Sequence, residues 1–142
     1  MNKEKVIALI ENDYGIPIYY MDIDDKYIAS YMRDKKCIYV HTSYKDAEDI
    51  YISQILFHEL AHALLHIKGP HIIGIHAEYL CEYFSYLCLG HSGIFAHRQA
   101  IYYKDHVSTL GIYDRIKYSY KTLKKAKGRL ANETVKLKSK LR

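Results

Sequence analysis

Phe57-His58-Glu59-Leu60-Ala61-His62-Ala63-Leu64-Leu65-His66 is the stretch whose reading decides the fold. It carries His-Glu-x-x-His inside an unbroken helical pattern. Residues four apart on an α-helix lie one turn apart on one face, so His58 and His62 aim at a single point. Glu59 sits about 100° round the helix, beside that point. Leu60, Ala61, Ala63, Leu64 and Leu65 make this a buried helix. Burying two imidazoles and a carboxylate without partners is costly, and a metal ion would supply the partners. Two neutral imidazoles and one more protein donor hold a tetrahedral Zn²⁺, leaving a position for water. The ion acidifies that water, and a neighbouring carboxylate can take its proton. The expected chemistry is zinc-dependent hydrolysis of peptide bonds. The competing reading is a pair of partly buried structural histidines.

The chain around this helix has 142 residues, 49% of them hydrophobic, enough for one domain with a real core. Tyrosine is frequent, with 16 against three Phe and no Trp, which suits a groove or a half-buried surface. Cys37, Cys81 and Cys88 are an odd count with no Cys-x-x-Cys pair, so neither a disulfide framework nor a zinc knuckle is indicated. Cys81 and Cys88 read as small core residues in a reducing compartment. The apolar run Val6 to Ile10 is too short for a signal peptide, and no run approaches a membrane span. A cytoplasmic protein without membrane contact is therefore expected. Charge is unevenly placed. Residues 113–142 carry 11 Lys/Arg and 2 Asp/Glu, a net +9, against 10 and 14, a net −4, over residues 1–112. The basic segment reads first as a solvated helical face, and second as a surface for an acidic partner or nucleic acid.

Along the chain, residues 3–13 read as a short amphipathic helix. Residues 16–21 read as a strand that Pro17 places at an edge or a strand start. Residues 27–32 and 37–41 are β-rich runs, and the polar Arg33-Asp34-Lys35-Lys36 between them predicts a hairpin. Thr42 or Ser43 is placed to cap the active helix, expected over 45–67, with Asp46, Glu48 and Asp49 in its first turns. Lys68-Gly69-Pro70 stops it, 71–75 form a loop, and 76–89 form a second apolar helix ended by Gly90. Beyond Gly93, helices are expected over 94–110 and 113–127 with Gly111 between them, and Gly128 is placed to break the last helix before 129–142. The fold class is α+β: a small antiparallel three-stranded sheet on the His-Glu-x-x-His helix, followed by further helices. The expected division is a metallopeptidase domain over 1–112 and a basic helical extension over 113–142.

Two histidines do not complete a catalytic zinc site. The extended spacing with a third helical His fails, because Leu65 stands at its Gly position and Lys68 at its last His position. His58, His62 and His66 along one helix span about 12 Å, too far for bonds of ~2.1 Å to one ion, so His66 is packed or orients a ligand. His71 and His76 remain open as donors. Glu78, sixteen residues after His62, is the best candidate, since a tight loop and an antiparallel helix return it to the imidazoles. Glu82, one turn on, can accept a hydrogen bond from a ligating imidazole. As structural alternatives, Glu78 is a favourable charge at a helix start and Glu82 a surface carboxylate.

The pair of motifs, Phe57 to His66 followed by Glu78-x-x-Cys81-Glu82-x-Phe84-Ser85-x-Leu87, resembles the ImmA/IrrE family of zinc metallopeptidases. The resemblance covers about residues 5–90 and implies that Glu78 is the third zinc ligand. Cys81 stands where that family usually has Ala, Glu82 where it has Asn or Asp, and Ser85 where it has Ala. A Leu-Met-Pro that often follows is replaced by Cys88-Leu89-Gly90. The resemblance further implies a protein substrate, such as the transcriptional repressor of a phage or mobile element, that is cleaved or antagonised.

The expected roles follow. His58, His62 and Glu78 bind Zn²⁺. Glu59 takes a proton from water and passes it to the leaving amine. A peptide adds as a strand to the edge of residues 27–41. A donor to the oxyanion comes from His97, Tyr102, Tyr103 or His106. The alternative is a non-cleaving module on the same fold that sequesters a DNA-binding regulator. Direct nucleic-acid binding through residues 115–142 lacks any helix-turn-helix, zinc-finger or RNA-binding signature.

Overall fold

A computed structural model describes residues 1–110 and 116–142. The chain opens with α1 (Lys3–Ala8), capped by Asn2, whose Oδ1 accepts the amides of Glu4 and Lys5 at 2.9 and 3.2 Å. The helix widens into a π-helical turn over Leu9–Asp13, which sends both Leu9 and Ile10 into the core. Three short strands follow: β1 (Ile18–Met21), β2 (Ala29–Met32) and β3 (Cys37–His41). The order across the sheet is β1-β3-β2, so β3 is central and buries Cys37, Ile38 and Val40.

The fold class is α+β with a three-stranded sheet, but the expected all-antiparallel pairing is corrected. β2 and β3 form the hairpin, Tyr31 opposite Ile38, whereas β1 runs parallel to β3, Ile18 beside Ile38. The segment 22–28 reverses the chain and steps over one strand position. It thereby leaves a slot about two strand spacings wide, roughly 10 Å, which β3 fills in the direction of β1. Seven extended residues reach about 23 Å, so the step is easily spanned.

Four further helices follow among the described residues: α2 (Asp49–Ile67), α3 (Gly74–Cys88), α4 (Gly93–Thr109) and α5 (Tyr120–Leu141). α2 starts later than its sequence predicts. Thr42–Tyr44 form a separate 3₁₀ turn, and Nζ of Lys3 takes the carbonyls of Lys45 and Ala47 at 3.2 and 3.4 Å, out of reach of a helical ladder. Neither Thr42 nor Ser43 caps α2; Glu48 holds the cap position without a side-chain bond. α3 begins at Gly74, two residues earlier than expected. α4 matches its expected span and is capped by Ser92, whose Oγ accepts the Phe95 amide at 3.2 Å.

α5 runs without a break through Gly128, which faces open space. Ala126, Leu130, Thr134 and Leu137 repeat at helical spacing on its buried side and carry the packing past the glycine. Of the helix expected over 113–127, residues 116–119 are not helical, and 113–115 lie outside the described residues, as do Gly111 and the expected division at 112/113. Ala126, Leu130 and Leu137 join the same core as Ile10, Ile38, Phe57, Leu60 and Phe84. Tyr14 Oη also donates to Glu133 Oε1 at 2.7 Å, tying α5 to the N-terminal segment.

No helix is long and apolar enough to cross a membrane, among the described residues. All three cysteines are free and buried.

Candidate metal centre

α2 is enclosed because its long apolar face, from Ile52 to Leu65, meets both the sheet and α3. α3 returns antiparallel beside it. As positions rise on α3, their partners fall on α2: Glu78 meets His62 and His58, Glu82 meets His58 and Gln54, and Ser85 donates to the Gln54 carbonyl. This return brings the two predicted motifs together.

At the centre, the Glu78 carboxylate is shared between the two imidazoles. Oε2 lies 3.1 Å from His58 Nε2, and Oε1 lies 3.1 Å from His62 Nε2. On the far side of the His58 ring, Nδ1 is hydrogen-bonded to Glu82 Oε2 at 2.7 Å. Gln54 Nε2 donates to the other oxygen of Glu82 at 3.2 Å. Gln54 stands one turn before His58 on the same helix face, so the i−4 spacing was the signal that could have revealed it. Glu59, 8% exposed, accepts the backbone N–H of Tyr31 through Oε2 at 2.7 Å. That contact comes from a main-chain donor on β2 and has no side-chain signature in the sequence.

Electrostatics follow from this packing. Burial opposes charge on His58, but hydrogen bonds to Glu78 and Glu82 outweigh it and raise its pKa to about 10. Burial alone would raise the Glu78 carboxyl, yet the bonds to His58 and His62 hold it well below the usual carboxylate range. The two groups therefore favour an ion pair at neutral pH.

The remaining candidates separate cleanly. His66 turns its Nδ1 to the Tyr31 hydroxyl at 2.9 Å and is packed there, away from the shared carboxylate. His71 is exposed, with its ring 6.4 Å from that of His66. His76 packs edge-on against Tyr118. Among the expected oxyanion donors, Tyr103 from α4 stands in the site. Its ring lies 5.4 Å from that of His58, and burial together with the charges of Glu78 and Glu82 pushes its hydroxyl pKa up. His97 is bonded to Tyr79, Tyr102 is 74% exposed, and His106 is exposed.

His58, His62 and Cys81 each offer a ligand atom within 4.8 Å of one another, close enough to hold a metal ion. Cys81 was expected only as a core residue. Its thiol is fully buried, and desolvation with the charges of Glu78, Glu59 and Glu82 raises its pKa strongly. Glu78 is the donor already ionised beside both imidazoles, and metal ligands act in their deprotonated forms.

In front of these residues lies a cleft between β2 and the helices, with two adjoining hollows of about 390 and 280 Å³. Both are lined by Tyr27, Ala29, His58, Glu59 and Tyr103. Comparison with family models, curated proteins and solved structures returns no match for this chain.

Proposed function

We propose that this chain is a zinc-dependent metallo-endopeptidase of the ImmA/IrrE type, cleaving a cytoplasmic regulatory protein such as a transcriptional repressor. The observation that carries the reading is the Glu78 carboxylate 3.1 Å from Nε2 of both His58 and His62, with Glu59 next in sequence on the same helix. Two donors on a tetrahedral ion with ~2.1 Å bonds stand roughly 3.4 Å apart, close to the separations these atoms already have. His58, His62 and Glu78 would hold the ion, and a nitrogen- and oxygen-donor set suits zinc. Bound zinc supplies Lewis-acid polarisation of the scissile carbonyl and acidifies water.

The protein groups do the rest. Glu82, braced by Gln54, fixes the tautomer and tilt of His58. Glu59 receives the proton of the attacking water and delivers it to the leaving amine. Its bond to the Tyr31 amide keeps it in place for both transfers. Tyr103, which lines the cleft beside His58, would donate to the carbonyl oxygen as it gains charge.

β2 is an edge strand, and its Tyr31 amide points away from β3. By the two-residue repeat, the backbone of Ala29 faces the same cleft, where it can pair with an extended peptide.

The test is incubation of the zinc-loaded protein with the regulator encoded beside its gene, with and without chelator. Cleavage should stop with chelator and fall by about 10²–10⁴-fold in Glu59→Gln, while that variant keeps its zinc. Undiminished cleavage by Glu59→Gln, or a wild type that takes up no zinc, ends the peptidase reading. Retained biological activity in a cleavage-dead variant would point instead to sequestration of the regulator.

A further inference from the structure

The side of α3 opposite the imidazoles meets α4 and α5 in a second groove of about 340 Å³. Leu80, Ile101 and Leu123 contribute apolar wall, and Lys104, Lys124 and Lys127 line it, with no carboxylate among the lining residues. None of the three lysines forms an ion pair among the described residues. Lys127 is half-buried, and its Nζ donates to Tyr79 Oη at 2.7 Å and lies 4.5 Å from the centre of the Tyr83 ring. That grip holds a cation in the groove without neutralising it. Tyr120, at the start of α5, lines the groove with 80% of its surface in water. Beside the groove the exposed Lys121 and Lys125 extend the positive surface over the first turns of α5, whereas farther along Arg129 is bonded to the carbonyls of Lys68 and Gly69 and Lys140 is paired with Asp13.

From this placement we propose that the α3–α4–α5 groove and the exposed first turns of α5 bind single-stranded nucleic acid. Lysines without an acidic partner answer phosphates, and the exposed face of Tyr120 answers an unstacked base. Cations interleaved with aromatic rings along a groove are what sequence-tolerant binding of a single strand requires. An acidic peptide would meet the lysines but bring no stacking face for Tyr120. A duplex keeps its bases stacked inside and cannot place one in a hollow of this size. The groove is separate from the metal centre: Glu78 faces α2, while Tyr79, the next residue, lines the groove. The inference therefore stands apart from the peptidase reading.

The experiment is fluorescence anisotropy of labelled oligo-dT with the full chain, titrated over salt, with circular dichroism and zinc content measured on every variant. The expected result is affinity whose logarithm falls with the logarithm of salt by about 0.7 per phosphate contacted. Lys124→Glu and Lys127→Glu should each weaken binding by at least tenfold, roughly the loss of one good charged contact. Tyr120→Ala, at a water-exposed position that leaves the fold intact, should weaken it by about fivefold or more through lost stacking. Lys5→Glu is an equal charge change on exposed α1 and should have little effect. The proposal is overturned by an absence of binding at low salt, or by Lys5→Glu being as damaging as Lys124→Glu. An unaltered affinity in Tyr120→Ala, equal affinity for duplex, or equal competition by polyglutamate also overturns it.

Discussion

Glu82 reaches His58 at 2.7 Å from behind the ring, while Glu78 reaches the same imidazole from the front at 3.1 Å. Two carboxylates on one imidazole set both its orientation and its proton affinity. In Glu82→Gln the amide oxygen can still accept, but the charge is gone. Zinc affinity should drop about 10–100-fold in a chelator competition, with little change in the far-ultraviolet spectrum. The same contacts make the metal-stripped protein pH-sensitive. The His58 pKa is raised from 6.5 to about 10 in the fold, so its contribution to stability is complete below pH 6.5 and is lost as pH rises toward 10. The Glu78 pKa is depressed below 4.5, so its contribution is present above pH 4.5 and is lost as pH falls further. The groups facing His58 are Glu59 and His62 on α2, Glu78 and Glu82 on α3, and Tyr103 on α4. The urea midpoint of chelator-treated protein should therefore fall between pH 6.5 and 10; a flat profile would contradict this ion-pair account.

At the scale of elements, α5 places its one glycine where nothing depends on it. A Cβ added at Gly128 meets no atom within 4 Å, and the residue lies inside a continuous helix. Gly128→Ala should stabilise the protein by about 0.5–1 kcal/mol by reducing the freedom of the unfolded chain, readable as a raised thermal midpoint. A lower midpoint would mean that the helix is interrupted there. α2 illustrates the reverse situation, where a distant side chain overrides a local signal. The acidic run Asp46 to Asp49 invites an early helix start, but the Lys3 ammonium holds two of the carbonyls that such a start would need.

In the whole molecule, the basic C-terminal helix contributes side chains to the core. Leu137 is fully buried, and Ala126 and Leu130 join the cluster that contains Phe57 on α2 and Phe84 on α3. Truncation ahead of Tyr120 should strip one wall from α3. The expected outcome is loss of the cooperative thermal transition together with zinc binding. A truncated chain that melts cooperatively and binds zinc like the full chain would show α5 to be dispensable. The same helix carries the exposed Lys121 and Lys125 on its outer side, so one element serves packing inward and charge outward, as its 3.6-residue repeat allows.

The sequence by itself determined the α+β class, a strand that Pro17 confines to an edge or to its own start, the hairpin and the span of α4. It also determined that His58 and His62 share a helix face with Glu59 beside them. Each of these rests on spacing within one turn, one strand or one short loop, where backbone geometry leaves few choices. The meeting of Glu78 with both imidazoles was legible as an expectation, because a short loop between two apolar helices restricts how they can return. Tertiary structure alone decided that β1 runs parallel to β3, since a period of two marks a strand without marking its direction. It alone singled out Tyr103 from four residues on α4, chose the Tyr31 amide as the partner of Glu59, and gathered Lys104, Lys124 and Lys127 into one groove. Those contacts join residues tens of positions apart. Their geometry is set by how whole helices pack, which no local period encodes.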